Sequence, residues 1–322
     1  LQGETVRTLY IGGGTPTICT PRELEGLIRT VRDTFDTQIE EITVEANPDD
    51  LTPGYLEALR GTGTNRLSIG VQSLLDRDLR WMNRRHDARQ ALRAVRDAQA
   101  AGFANLSLDL IYGLPDQTME DWQRTLADAV ALGPEHLSCY GLKVEPGTPL
   151  YARQAEEDLP DDEAQADMYL YTVEYLAQNG YAQYEISNFA RPGRESRHNL
   201  KYWTLQEYAG FGPGAHSDFG GVRYAYEKDL EGYIHGVKHH MPLLSESERI
   251  PPLDRDTEWL MLGLRTVQGL DPREFESRFR RRFDCFLPFL NECCRAGYAV
   301  EEDGRWHLTP KGFLVSNRII GG

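Results

Sequence analysis

An α/β fold built from βα units is the class this sequence predicts, and three observations predict it. Short apolar runs alternate with amphipathic helical stretches through the first 145 residues. Three of those helical stretches stop at a glycine, namely Gly61, Gly102 and Gly133. The first apolar run, Leu9-Tyr10-Ile11, feeds Gly12, Gly13 and Gly14 and then Thr15-Pro16-Thr17, which puts bare backbone at the carboxyl end of a strand, open to a ligand. Strands of this kind, covered by helices, close into a full or partial barrel or lie in an open sheet. In a barrel the chemistry sits at the carboxyl ends of the strands.

Taken in order, strands are expected near Val6–Ile11, Glu41–Ala46, Arg66–Val71, Leu106–Tyr112 and His136–Lys143. Helices are expected near Pro21–Phe35, Pro53–Leu59, Asp76–Arg84, Ala88–Ala101 and Met119–Ala131. Asp161–Asn179 reads as one long helix whose apolar side is Met168, Leu170, Tyr171, Val173, Tyr175 and Leu176, a core stripe rather than a cofactor box. Ser245–Asp256, with Pro251 and Pro252, reads as a linker, so domains are expected over residues 1–245 and 246–322. Beyond it come short helices, a hairpin over Tyr298–Glu301 and Arg305–Leu308, and a last helix from Thr309. The basic run Arg278, Arg280, Arg281 and Arg282 reads as a solvated helix face.

Composition narrows the function. At 322 residues with 40% apolar content the chain can bury a sizeable core, and one large domain plus a small appendage is the natural organisation. A net charge of −15 argues against a nucleic-acid partner, whose phosphates require a basic face, and against an anionic membrane surface. The five cysteines, Cys19, Cys139, Cys285, Cys293 and Cys294, form no disulfide framework and suit a reducing cytoplasm. No stretch approaches the roughly 20 apolar residues needed to span a bilayer.

Polar residues gather at the expected strand ends. Strand one delivers Gly12, Gly13, Gly14 and Thr15; strand two ends in Glu45 and Asn47; strand three carries Gln72; strand four has Asp109 and ends in Tyr112; strand five ends in Tyr140 and Gly141. A carboxylate suits ribose hydroxyls or an ammonium group, an amide suits a carboxylate or base edge, and Arg84, on the helix after strand three, can grip a carboxylate with two bonds. Glu45 or Asp109 alone can equally cap a helix or pair with an arginine. Together the set describes a site for an amino-acid-like or nucleoside-like molecule.

The runs GGGTPT at Gly12–Thr17, VEANP around Glu45, RLSIGVQS at Arg66–Ser73 and DLIYGLP at Asp109–Pro115 resemble radical S-adenosylmethionine (SAM) enzymes of the oxygen-independent coproporphyrinogen III oxidase type, over nearly the whole chain. Within that family, YEISNFA at Tyr184–Ala190, RHNLKYW at Arg197–Trp203 and GFGPGAHS at Gly210–Ser217 are closer to the HemW-type haem chaperones than to the decarboxylating oxidase. The resemblance implies a partial (β/α)6 barrel followed by a small α-rich, winged-helix-like C-terminal domain. It also implies that Gly13, Gly14, Thr15, Glu45, Gln72, Arg84, Asp109 and Gly141 bind S-adenosylmethionine; some of these positions serve a second S-adenosylmethionine in the related oxidase, which leaves a different ligand open for Gln72, Arg84 and Asp109 here.

The family holds a [4Fe–4S] cluster by three cysteines in a CxxxCxxC loop after the first barrel strand, and this sequence contains no such motif. Because GGGTPT follows the family's second strand, the five strands counted above are what the resemblance leaves when the first is absent. The sequence as written is therefore expected neither to assemble the cluster nor to generate a radical; the cluster is expected of a longer protein.

A second constellation lies at Arg191–Trp203. His198 offers an axial ligand for haem iron, Asn199 stands beside it, and Tyr202 and Trp203 can lie against a flat macrocycle, while Arg191, Arg194 and Arg197 can meet propionates. HNxxYW can equally be a buried hydrogen-bonded corner, and His216, His239 and His240 are alternative iron ligands. The expectation is a haem chaperone that binds S-adenosylmethionine and haem and delivers haem to acceptor proteins. The alternatives are a radical decarboxylase acting on coproporphyrinogen III and an ordinary barrel enzyme using Glu45 and Asp109 as acid and base.

Overall fold

A computed structural model describes residues 3–153 and 156–321. Backbone contacts divide the chain into two compact units, one ending at His198 and one beginning at Asn199. The first holds a seven-stranded curled half-barrel sheet, in the order β1-β2-β3-β4-β5-β7-β6. Its strands are β1 (Thr5–Ile11), β2 (Asp36–Ala46), β3 (Arg66–Gln72), β4 (Leu106–Tyr112), β5 (His136–Gly141), β6 (Ala182–Gln183) and β7 (Asn188–Ala190). β1 to β5 run parallel, as expected; β7 is antiparallel to β5 and β6 antiparallel to β7.

The connecting helices start where the sequence supplies a cap. Thr20 with Glu23, Asp87 with Gln90, and Thr118 with Asp121 each close a reciprocal capping box, which satisfies amide groups a helix start leaves unpaired. Trp122, fully buried on the helix Met119–Ala131, donates its indole N–H to Thr172 Oγ1 at 2.8 Å and lies 5.4 Å from the Tyr112 ring. The long helix runs over Asp162–Gln178, and its buried residues are Met168, Tyr169, Thr172 and Leu176. This stripe is narrower than the apolar run suggests, because the four-residue step from Met168 selects Thr172 and leaves Leu170, Tyr171, Val173 and Tyr175 half-buried.

Alternation along the strands separates two faces. Ile42, Val44, Leu67, Ile69, Val71, Leu106, Leu108, Leu110 and Leu137 are buried on one face, and the register places Glu45, Ser68, Ser107 and His136 side by side across β2 to β5 on the other. A parallel sheet buried on both faces reads as unbroken apolar runs. The polar residue at every second position here marks a face turned toward a polar interior.

In the second unit β8 (His216–Phe219), β9 (Val222–Tyr226) and β10 (Leu244–Arg249) form an antiparallel sheet, and β11 (Ala299–Glu302) and β12 (Arg305–Leu308) form the expected hairpin. Trp259, Phe275, Phe279, Phe283 and Phe286 pack ring against ring beneath the helices Pro252–Gly263 and Pro272–Phe279. The linker expected at Ser245–Asp256 is corrected: Ser245–Arg249 belongs to β10, paired with β9, and a helix begins at Pro252. Every residue of β10 is exposed, so only main-chain pairing makes it a strand and no apolar alternation betrays it. The last helix from Thr309 is two short ones, Pro310–Leu314 and Ser316–Gly321. Among the described residues no helix is long and apolar enough to cross a membrane.

Candidate functional site

The carboxyl end of β1 is built around Glu45. Its Oε1 accepts the Tyr10 hydroxyl at 2.6 Å and its Oε2 accepts the Gly13 N–H at 3.1 Å. Burial, then the Glu45 carboxylate, push the Tyr10 phenol well above its ordinary range, so it remains a donor. Gly12 leaves the corner no room for a side chain, because a Cβ there would lie 2.6 Å from the Tyr10 ring and 2.8 Å from the Glu45 carboxyl carbon and force a shift. Gly13 adopts φ +90°, and neither it nor Gly14 has any atom within 4 Å of where a Cβ would stand. The backbone beside a fixed carboxylate is thus open.

Thr15, Asn47 and Arg84 form the next side. Asn47 donates to Thr15 Oγ1 at 3.1 Å and accepts Arg84 Nη2 at 2.6 Å, and Arg84 also reaches the Gly70 carbonyl at 3.2 Å. Burial lowers the Arg84 pKa, yet the group stays charged. Gln72 ends β3 in the left-handed region at φ 66°, its amide close above Gly70. Gly141 ends β5 with the Tyr112 ring 3.2 Å from where its Cβ would stand.

Asp109 lies deeper. It accepts the Ser68 hydroxyl at 3.2 Å on each oxygen and the Ser107 hydroxyl at 3.4 Å. Protein surrounds it though its surface is only partly covered, and this burial pushes its carboxyl up to about 6, against the Ser138 and Ser68 hydrogen bonds and the Arg66 charge. Below it Ser107 Oγ lies 2.8 Å from His136 Nδ1, and His136 Nε2 lies 2.8 Å from the Tyr184 hydroxyl. Burial, then the Arg66 charge, push the His136 pKa well down, so the ring is neutral. Glu185, next to Tyr184 in the chain, is raised to about 7 by burial. Six buried side-chain polar atoms of the described residues have no hydrogen-bond partner, and three of them, Arg66 Nε, Glu185 Oε1 and Asn188 Oδ1, belong to β3, to β7 or to the segment just before β7. Orphaned donors and acceptors in one interior fit a lumen that takes in polar molecules.

The site residues read from the sequence therefore fall into two groups within the first unit: Gly13, Gly14, Thr15, Glu45 and Arg84, connected directly or through Asn47, and Asp109 with its serines. Sequence reasoning placed Asn47 at the rim without giving it a role, and missed Tyr10, Arg66, Ser68, Ser107 and His136. A signal for Arg66, Ser68 and His136 as lining residues was present in the alternation of Arg66, Ser68 and Gly70 within β3 and of His136, Ser138 and Tyr140 within β5; none marked Tyr10 or Ser107.

His198 closes the first unit. Its Nδ1 lies 2.9 Å from Thr8 Oγ1, its ring stacks on Tyr10 at 5.1 Å, and its N–H and that of Arg197 each donate to the buried Glu41 at 3.0 Å. Arg191 lies over the Tyr181 ring and donates to the Pro134 carbonyl. In the second unit Tyr202 is partly exposed and meets Tyr208 edge-on at 4.7 Å, and Asn199 and Trp203 are half-buried. His216 and His240 lie on the surface of that unit, and the His239 ring packs against His235.

Iron–sulfur ligands are a different matter. Cys139 and Cys293 are buried, Cys19 and Cys285 are exposed, and among the described residues no three His, Cys, Asp or Glu side chains converge to hold a metal. The cysteines of this sequence do not fit a cluster.

A parallel half-barrel with glycine-lined first strand end and polar strand ends is the architecture of radical SAM proteins. The family model described as the Radical SAM superfamily matches residues 2–129, and that of the HemN C-terminal domain matches residues 250–315. A protein of Bacillus subtilis (strain 168) named "Heme chaperone HemW" is 35% identical over 98% of this chain and 85% of its own length. Its namesake in Escherichia coli (strain K12) is 34% identical over 99% of this chain and 84% of its own. The solved structure titled "Coproporphyrinogen III oxidase (HemN) from Escherichia coli is a Radical SAM enzyme" superposes with a TM-score of 0.85 at 27% identity, over 99% of this chain and 78% of that one. The chain belongs to the HemW family of radical SAM proteins.

Proposed function

We propose that this protein is a haem chaperone: it binds haem, holds S-adenosylmethionine at the barrel mouth, and passes haem to acceptor proteins in a reducing cytoplasm. The observation that supports this most is identity of 34–35% along almost the whole chain to relatives named for haem chaperoning, against 27% to the oxidase. Gly13 and Gly14 offer main chain to the methionine part, Glu45 and Asp109 suit its ammonium or ribose, and Thr15, Gln72, Arg84 and Gly141 complete the pocket. S-adenosylmethionine bound there supplies a reactive sulfonium; the residues named here bind and orient it. His198 with Asn199, Tyr202 and Trp203 is the proposed haem-contacting stretch. A test is donation: haem-loaded protein mixed with a haem-free acceptor globin should transfer its haem, and retention of all the haem would reject the chaperone reading.

Asp109 gives this reading a pH dependence. Its folded pKa lies above the ordinary carboxyl value, so ionising it opposes folding; that penalty is absent at low pH and develops as pH rises from about 4 to about 6. Ligand binding runs the other way, since an ammonium group or ribose hydroxyl favours the ionised carboxylate. Affinity for S-adenosylmethionine, measured by calorimetry from about pH 5 to pH 8, should rise through about 6 and level off above. Asp109→Asn should lower the plateau and flatten the step, and an unaltered step in that variant would remove Asp109 from the site.

A further inference from the structure

A cavity of about 840 Å³ is lined wholly by residues of the second unit, and its volume suits a cofactor-sized ligand. Four arginines and three carboxylates line it, a positive balance in a chain whose net charge is −15. The carboxylates are already engaged. Asp218 takes Arg255 and Arg223, the latter at 3.1 Å, and Asp256, itself 2% exposed, takes Arg281. Glu207 accepts the Gly220 N–H at 2.8 Å.

Two guanidinium groups have no carboxylate partner among the described residues. Arg278 is held by backbone, donating to the carbonyls of Thr204 at 3.2 Å and Leu205 at 2.9 Å. Arg249 ends β10 with an exposed side chain, and its position is fixed by the β9 pairing and by the Ile250 N–H on the Gly221 carbonyl at 3.1 Å. The helix Pro252–Gly263 also starts at this cavity without a side-chain cap, so its positive end adds to the field. Apart from Gln206 the rest of the lining is apolar: Leu253 is 63% exposed and the Phe279 ring is half-buried. Arginines beside exposed apolar surface recognise an amphipathic carboxylate. Thr204 and Leu205, which Arg278 anchors, follow directly on Trp203 of the HNxxYW stretch.

We infer that this cavity is the carboxylate-recognition site for the haem propionates, with Arg249 and Arg278 as the anion-binding residues. The inference rests on the haem reading above and names the part of the protein that reads the acidic edge of the macrocycle. Its test uses Arg249, whose side chain makes no ion pair with a carboxylate among the described residues. Haem titrations into the full chain followed in the Soret band should show Arg249→Glu weakening binding roughly tenfold or more, the scale of a lost charge-assisted hydrogen bond. Arg249→Lys should retain most of the affinity. Haem dimethyl ester, which lacks free carboxylates, should bind wild type and Arg249→Glu alike. Wild-type haem affinity in Arg249→Glu overturns the cavity assignment and leaves the haem reading standing, whereas a wild-type chain that does not bind haem overturns both.

Discussion

Glu45→Ala should abolish measurable binding of S-adenosylmethionine while leaving the protein folded. Glu45 is where three elements of the site meet: it fixes the Gly13 N–H, accepts the Tyr10 hydroxyl and presents its charge beside open glycine backbone. Hydrogen bonds to charged groups contribute about 1.5–3 kcal/mol each, so losing the carboxylate removes the proposed contact to the ligand and also releases the Gly13 loop it holds. Gly12→Ala should act in the same direction by another route, since the added Cβ meets the Tyr10 ring at 2.6 Å and must displace Glu45. Glu45→Gln retains shape and one acceptor oxygen, and should bind more weakly than wild type but better than Glu45→Ala. Calorimetry on the three variants, with circular dichroism to confirm folding, checks this. Undiminished heat from Glu45→Ala would remove the glycine-and-glutamate corner from the ligand site.

Glu41→Ala should be the most damaging single change at the haem-candidate stretch. Glu41 is 3% exposed on β2, and its two oxygens accept the backbone N–H groups of His198 and Arg197 at 3.0 Å, the first turn of the helix Arg197–Trp203. Alanine leaves both part-buried amides without that acceptor and removes a negative charge from the positive end of the helix. A loss of roughly 2–4 kcal/mol is expected from these unpaired groups. For a unit of this size it lowers the melting temperature by roughly 5–15 °C. Haem affinity should fall with it, because His198 is aimed by this bond as well as by Thr8 and Tyr10. A variant that melts and binds haem like wild type would show that Glu41 does not position the stretch.

The parts of the fold visible in the sequence are those that bury apolar side chains. β3 and β4 announce themselves through Leu67, Ile69, Val71 and Leu106, Leu108, Leu110, all buried under helices, and capping residues such as Thr20 and Thr118 mark where those helices begin. β10 was invisible because Ser245-Glu246-Ser247-Glu248-Arg249 exposes both faces, and main-chain pairing leaves no compositional trace. β6 and β7 were missed for a related reason: two and three residues are too few to show a period, and their place is set by pairing with β5.

The candidate site divides the same way. Gly13, Glu45 and Asp109 stand out as a set, because a glycine triplet at one strand end and carboxylates in two other strands recur across the same sheet. Tyr10 gains its importance from the fold that brings it to Glu45, and Ser107 gains its own from the register that sets it opposite His136. Arg66 looked like the polar start of a strand, yet it is 1% exposed with its Nε unpartnered, and its charge acts on both Asp109 and His136. Register and burial decide such roles, and neither is written in a single strand.

The most direct measurement of the central claim is a Soret-band titration of the wild-type chain with haem, repeated on His198→Ala. A saturable, stoichiometric spectrum that weakens or shifts in the variant is the result expected of a haem carrier that uses this histidine. A wild-type chain whose spectrum never departs from that of free haem would contradict the account at its root.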